Sequence, residues 1–237
     1  MKKIAIIVPA YNEEKSIAEV VNGIKSLSIN DIYKIDVIVI NDCSTDKTSE
    51  IASGLDCILI NLPLNLGIGG AMQTGFKYAM KRDYDYAIQV DGDGQHPAKE
   101  IPRLIKAMED YNADVVIGSR FLENEGFRST LTRRIGINFF KFIIKFLTGK
   151  LITDSTSGFR ILNRKALEIV NKYYPDEYPE PESIILYSYN KLNIIETPVV
   201  MVERQGGKSS IGSISGIYYM IKVSLGIIFT MIRTKRS

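Results

Sequence analysis

Short apolar runs alternate with helical patterns through the first half of the chain. Ile4–Val8, Val37–Ile40, Ile58–Ile60, Tyr86–Val90 and Val115–Ile117 predict strands. Continuous apolar runs of this length fit strands buried on both faces. Ile17, Val20, Val21, Ile24 and Leu27 fall at i, i+3, i+4, i+7 and i+10, which is one face of a helix. Asn12 is the expected N-cap of that helix, with Glu13 and Glu14 in its first turn. Further helices are expected over Ser44–Ser53 and from Pro97. Strand–helix alternation implies an α/β fold, with a mostly parallel central sheet flanked by helices on both faces. Ligands of such sheets bind outside the carboxyl ends of the strands. The residues after each apolar run are therefore the site candidates.

The second half has a different texture. Leu131–Lys150 is rich in Phe, Ile and Leu, yet Arg134, Asn138, Lys141, Lys145 and Thr148 recur at helical spacing. This predicts an amphipathic helix with one basic, polar stripe. Ile214–Ile232 is apolar apart from Lys222 and a few small or hydroxyl residues, and Arg233, Lys235 and Arg236 follow it. Lys222 leaves an uncharged run of ten residues behind it, and a spanning helix needs about 20. No transmembrane segment is expected. The chain divides into residues 1–118 and 119–210, with a basic-ended amphipathic helix over 211–237.

Composition narrows the field. The 237 residues are 45% hydrophobic and 24% charged, the balance of a globular domain able to bury a core. A net charge of +3 is too weak a bias to argue for a nucleic-acid partner. Two cysteines, Cys43 and Cys57, cannot build a disulfide framework. With five apolar residues before Pro9, the N-terminus is too short for a secretory signal. A cytoplasmic protein is expected.

The strand tips carry the chemistry. Asp91-Gly92-Asp93 places two carboxylates one residue apart after the fourth run. Such a pair can hold Mg²⁺ or Mn²⁺, whose shell is completed by substrate phosphates. Gln95 and His96 are possible further ligands; the alternative is an acidic loop capping the next helix. His96 is the only histidine, which excludes a serine triad built on another one. Asp42 follows the second run and can accept hydrogen bonds from a ribose or a base; its alternative role is a helix cap. Tyr11 and Glu13 can flank a base. Gly67-Ile68-Gly69-Gly70 allows close backbone approach to a substrate, or equally the packing of a helix N-terminus. It lacks the third glycine of a dinucleotide fingerprint and the Gly-Lys-Ser/Thr of a Walker loop. Arg204 and Lys208 flank two glycines, a pattern that suits a lid closing on a diphosphate.

These residues together resemble the inverting family-two glycosyltransferases of GT-A fold. The nearest subgroup holds dolichol-phosphate mannose synthase and the undecaprenyl-phosphate glycosyltransferases. The resemblance runs through Pro9-Ala10-Tyr11-Asn12-Glu13, Asn41-Asp42-x-Ser44-Thr45-Asp46, Asn65-x-Gly67, Asp91-Gly92-Asp93-Gly94-Gln95-His96-Pro97, Gly118-Ser119-Arg120, Ser157-Gly158-Phe159-Arg160 and Arg204-x-Gly206-Gly207-Lys208-Ser209. It implies that Pro9, Tyr11, Glu13 and Asp42 hold the nucleoside, with Asn12, Asn65, Gly67 and Gly92 in the same strings. It implies that Asp91, Asp93 and Gln95 hold the metal and diphosphate, and that Arg204 and Lys208 grip the phosphates. It further implies that Arg120 and one of Arg133 or Arg134 receive an acceptor phosphate, and that Asp154 and Ser157 line the sugar or acceptor side. Cys43 stands where the family usually has glycine, so the backbone there either does without positive φ or tolerates strain.

The implied reaction is transfer of one sugar from a UDP- or GDP-linked donor, with inversion. A sugar-hydroxyl acceptor needs a general base, for which Glu180 and Glu182 are candidates. A polyprenyl phosphate is already anionic and needs only cations. The basic-striped 131–150 helix favours the lipid, since apolar faces edged by Lys and Arg lie among headgroups. The protein is then peripheral on the inner face of the membrane. The competing explanation buries both helices in the protein, a homodimer or a membrane partner. A nucleotidyltransferase is disfavoured by Pro9–Glu13, and a non-catalytic nucleotide-sugar-binding module has no need of the paired acids.

Overall fold

The computed structural model describes residues 1–29, 32–122, 131–176, 178–202 and 216–235; over 131–138, 216–221 and 234–235 it describes backbone alone. A seven-stranded sheet runs through it in the order β3-β2-β1-β4-β6-β5-β7. Its strands are β1 (Lys2–Ala10), β2 (Tyr33–Asn41), β3 (Ile58–Asn61), β4 (Tyr86–Gln89), β5 (Val115–Ser119), β6 (Arg160–Asn163) and β7 (Ile194–Pro198). β1 lies parallel to β2 and to β4, with Ile6 opposite Val37 and Ile88. The five runs expected as strands are all present. β6 and β7 come in addition: Arg160-Ile161-Leu162-Asn163 carries only two apolar residues, too short a pattern to read. β6 is antiparallel to both its neighbours, β4 and β5. Its first residue, Arg160, therefore lies at the same sheet edge as the carboxyl end of β4.

One sheet face carries α1 (Ile17–Lys25), α2 (Thr48–Ser53) and α4 (Ile101–Asp110). Ile17, Val21 and Ile24 pack there with Leu104 and Met108 against Ile4, Ile6 and Ile88. The other face carries α3 (Gly67–Lys81), α5 (Leu131–Thr148), α6 (Arg164–Lys172), α7 (Pro179–Tyr189) and α8 (Gly216–Lys235). Three helix starts differ from expectation. α1 begins at Ile17 behind Ser16 rather than behind Asn12, whose φ is +58°. α2 begins at Thr48, because Asp46 Oδ1 accepts the Thr48 N–H at 2.9 Å. After Pro97 a single 3-10 turn (Ala98–Glu100) precedes α4. In each case the strand tip is longer and more of its polar residues stay outside the helix.

α7 is buried from Pro181 to Tyr187, and α5 and α8 pack over it. α8 turns Val223, Ile227 and Thr230 inward. The Thr230 hydroxyl donates to Glu182 Oε2 at 3.0 Å. Gly226 lets that carboxylate in, since a Cβ would stand 2.5 Å from Glu182 Oε1. Lys222 and Arg233 lie over the rings of Tyr178 and Tyr173. The outward face is Leu225, Ile228, Phe229 and Ile232, all exposed. α5 repeats the pattern: Phe140 and Ile144 are buried, while Phe142 (69%) and Phe146 (80%) are exposed together with Phe139. Of the expected basic stripe, Lys145 is exposed and Lys141 half-buried; the side chains of Arg134 and Asn138 lie outside the described residues. Among the described residues no helix is long and apolar enough to cross a membrane.

Candidate active site

The carboxyl ends of β1, β2, β4 and β5 and the start of β6 share one sheet edge. The loops leaving them are cross-linked side chain to backbone. Asn12 Oδ1 accepts the Thr45 N–H at 2.8 Å, and the Asn12 N–H donates to Ser44 Oγ. Asn12 is therefore a staple between the first two tips, not a helix cap. The Glu13 N–H donates to Thr48 Oγ1 at 2.8 Å. The Ser16 hydroxyl lies 2.7 Å from the Gly92 carbonyl and 3.1 Å from Glu13 Oε2, tying the first tip to the fourth. Tyr11 is left half exposed at the rim, a ring face open to a base.

Asp42 is buried, and its Oδ1 accepts the Leu66 N–H at 2.7 Å. Asn65 Nδ2 donates to the Asp42 carbonyl, and Asn65 Oδ1 accepts the Gly67 N–H. Asp46 and not Asp42 accepts the first N–H of α2, so the cap role weighed for Asp42 is not the one it has. Gly69 packs against the backbone carbonyls of Pro175 and Asp176, where a Cβ would come within 2.3 Å of both. That glycine serves helix packing and not substrate approach. Gly67, at φ +72°, has nothing near its Cβ position.

Cys43 sits at φ +59°. Of the two options for this position, strain is the one adopted. A left-handed residue other than glycine carries a penalty of about 1–2 kcal/mol. Cys43→Gly should therefore raise stability by up to about 1 kcal/mol after glycine's own entropy cost. Urea denaturation would register this as a higher midpoint at unchanged slope; a lower midpoint would contradict it.

The Asp91–Pro97 loop holds the two acids differently. The Asp91 side chain keeps 31% exposure, and Gln89 Nε2 donates to its Oδ1 at 3.1 Å. Gly158 closes over this pair, since a Cβ there would lie 2.6 Å from Gln89 Nε2. Asp93 is buried, its carboxylate accepting from Gln95 N at 2.9 Å and Gln95 Nε2 at 2.5 Å. His96 Nδ1 accepts the Asp91 N–H at 3.0 Å, and the ring stacks on Phe159 with centroids 4.8 Å apart. His96 thus shapes the loop from behind. Gly92 lies under Pro9, its Cβ position 2.9 Å from the Pro9 carbonyl.

The donor set for a cation is all oxygen: two carboxylates and the amide of Gln95. Among the described residues no group of three or more His, Cys, Asp or Glu gathers as a ready cage. Two carboxylates and an amide oxygen are ligands of the type Mg²⁺ and Mn²⁺ take, with positions left for water and phosphate. Such a set does not fit a structural zinc site.

Beyond the acidic loop, Arg120 and Asp154 face each other. Arg120 Nε and Nη2 each donate at 2.7 Å to the two oxygens of Asp154, which is fully buried. Arg120 Nη2 also reaches Thr156 Oγ1. Ser157 is buried, its carbonyl accepting Arg160 Nε at 2.7 Å. Arg160 is itself buried and donates to the Ser155 carbonyl and Ser183 Oγ. Burial pushes the Glu180 carboxyl up; Arg160 pulls it back, and the charge of Asp91 adds to the rise. Glu180 therefore belongs to the site's electrostatics. Glu182 does not: its carboxylate faces α8 through Thr230. Arg204 and Lys208, and the side chains of Arg133 and Arg134, lie outside the described residues. Gln89, Arg160 and Glu196 are the structural residues that spacing alone does not single out.

Residues 5–170 match the family described as Glycosyl transferase family 2. UDP-N-acetylglucosamine–dolichyl-phosphate N-acetylglucosaminyltransferase of Methanococcus voltae is 33% identical over 84% of this chain and 85% of its own. Polyprenol monophosphomannose synthase of Mycolicibacterium smegmatis is 27% identical over 92% of this chain and 84% of its own. Glucosyl-3-phosphoglycerate synthase of Mycobacterium tuberculosis, solved with Mn²⁺, UDP-glucose and phosphoglyceric acid, superposes with a TM-score of 0.70. It is 16% identical and the match covers 98% of this chain and 79% of that one, a likeness of fold. With this sheet, this edge and these relatives, the chain belongs to the family 2 glycosyltransferases of GT-A fold.

Proposed function

We propose that the protein transfers one sugar, with inversion, from a UDP- or GDP-linked donor to a polyprenyl phosphate at a membrane surface. Residues 1–118 form its donor half and 119–210 its acceptor half. Tyr11, Glu13 and Asp42 bind the nucleoside, the last through the carboxylate oxygen that Leu66 leaves open. Asp91, Asp93 and Gln95 are the residues that would hold Mg²⁺ or Mn²⁺. The cation, when bound, offsets charge growing on the leaving diphosphate. Arg204 and Lys208 add to that role from the 203–215 segment. Arg120, with Arg133 or Arg134, receives the acceptor phosphate.

The observation that carries the lipid acceptor is the set of exposed apolar side chains on α5 and on α8. Apolar side chains turned out, with Thr230 and Glu182 bonded inside, suit a surface facing hydrocarbon and headgroups. An anionic phosphate also needs no general base, and Glu182 is committed to α8. Relatives named as acting on dolichyl and polyprenol phosphates support the same choice.

The test is a screen of UDP-glucose, UDP-N-acetylglucosamine and GDP-mannose with Mn²⁺ or Mg²⁺, following nucleoside diphosphate release. Farnesyl phosphate should stimulate release from one donor severalfold. Release that responds to oligosaccharides and ignores the lipid phosphate would move the assignment to a glycan acceptor.

A further inference from the structure

Glu196, on β7, lies outside every motif, yet three hydrogen bonds end on its carboxylate. Oε2 accepts the Thr153 N–H at 2.7 Å, and Oε1 accepts the Thr153 hydroxyl and the Asp154 N–H, each at 2.8 Å. Thr153 Oγ1 also lies 2.8 Å from Ser119 Oγ at the end of β5. Asp154 in turn accepts from Arg120 at three atoms: N at 3.1 Å, Nε at 2.7 Å and Nη2 at 2.7 Å. β5 and β7 are parallel neighbours, with Ile117 opposite Glu196. The links therefore close a ring: from β7 through the 153–154 loop to Arg120, and back along β5. Asp154 has no exposure at all. A buried carboxylate is stable only when its charge and lone pairs are met, and its geometry is as rigid as what holds its backbone.

We infer that Glu196 is a positioning residue for the acceptor phosphate, acting through Thr153 and Asp154 on the orientation of the Arg120 guanidinium. This rests on the reading of Arg120 as an acceptor-phosphate ligand. A guanidinium binds phosphate well when its planar fork is held in register. Asp154 holds one edge of that fork, and Glu196 fixes where Asp154 stands. Thr153 and Asp154 offer the Glu196 carboxylate two N–H groups and one hydroxyl, which a glutamine oxygen can meet only in part.

The sign of the effect separates positioning from plain electrostatics. Removing a negative charge near an anion site should tighten phosphate binding. Losing the fork's alignment should weaken it. Farnesyl phosphate titrated calorimetrically is the probe, with Mn²⁺·UDP binding measured on the same samples. Glu196→Ala should weaken farnesyl phosphate about tenfold, Glu196→Gln by less, and leave Mn²⁺·UDP unchanged. Thr153→Val, which removes one link only, should show a smaller loss in the same direction. In a double-mutant cycle, Glu196→Ala should cost nothing more once Arg120→Lys is present. Tighter or unchanged farnesyl phosphate binding in both Glu196 variants overturns the inference, as does an equal loss of Mn²⁺·UDP, which marks a merely structural role. If Arg120→Lys itself leaves farnesyl phosphate binding unchanged, the reading of Arg120 fails instead.

Discussion

Asp93→Asn should reduce turnover by about 10³-fold or more while metal-free UDP binding stays within a few-fold of the parent. Asp93 sits at the far end of the Asp91–Gly92–Asp93 turn, buried, with Gln95 N and Nε2 on its two oxygens. Asparagine keeps an oxygen for the Gln95 N–H and loses the charge. The backbone contact of the loop is thereby kept, only the contact to Gln95 Nε2 is given up, and the proposed cation ligand is removed, which makes it a cleaner test than alanine. Asp93→Ala should be as inactive, but it also removes both contacts to half-buried Gln95, a loss of about 1 kcal/mol of stability. Manganese titration followed by electron paramagnetic resonance should show the Asn variant binding Mn²⁺ weakly with UDP present. A variant that turns over within a few-fold of the parent would remove the paired acids from the mechanism. Survival of function in that variant is also what a non-catalytic sugar-nucleotide module predicts.

Replacing Phe139, Phe142 and Phe146 together with Asp should release the protein from liposomes containing anionic lipid. All three rings are exposed on α5, Phe142 and Phe146 most of all, while Phe139 also packs edge-on against buried Phe140 with centroids 5.5 Å apart. Burying a ring of this size contributes about 1.5–3 kcal/mol, so three rings account for several powers of ten in partitioning. Three carboxylates reverse the attraction that Lys141 and Lys145 have for anionic headgroups. The fold should survive, because Phe142 and Phe146 stand clear of the core and Phe139 gives up only an edge contact with Phe140. Activity on dissolved farnesyl phosphate should persist while activity on a long polyprenyl phosphate in vesicles falls. Undiminished co-sedimentation with liposomes would mean that the α5 face meets something other than lipid.

The sheet's first strands are legible in the chain because they are buried on both faces. That environment leaves a local signature, unbroken Ile and Val, at Ile4–Val8 and Val37–Ile40. The strand tips are legible for a related reason: polar residues gather where the parallel strands end. β6 leaves no such signature. Its two apolar residues become a strand only because β4 and β5 flank them, and its reversed direction is what brings Arg160 to the carboxyl ends of those strands. Asn12 misleads for a similar reason. Its side chain precedes a helical pattern as a cap does, but Thr45, 33 residues away, offers the better partner.

The outward turn of Phe142 and Phe146 is equally invisible from periodicity. α5 has aromatic residues on two faces, and only packing against α7 and α8 selects Phe140 for the interior. Glu180 and Glu182 read alike, two residues apart on one short motif. The first feels the charges of Arg160 and Asp91, and the second accepts from Thr230 on α8.

By itself the sequence determined the α/β order, the polar carboxyl edge and the acids on it, because strand and helix periods and turn chemistry act over a few neighbouring residues. The tertiary structure alone decided which charged groups meet. Arg120 and Asp154 are 34 residues apart in the chain and Asp154 and Glu196 are 42. Contacts at such separations are set by how the sheet closes and which groups burial forces together.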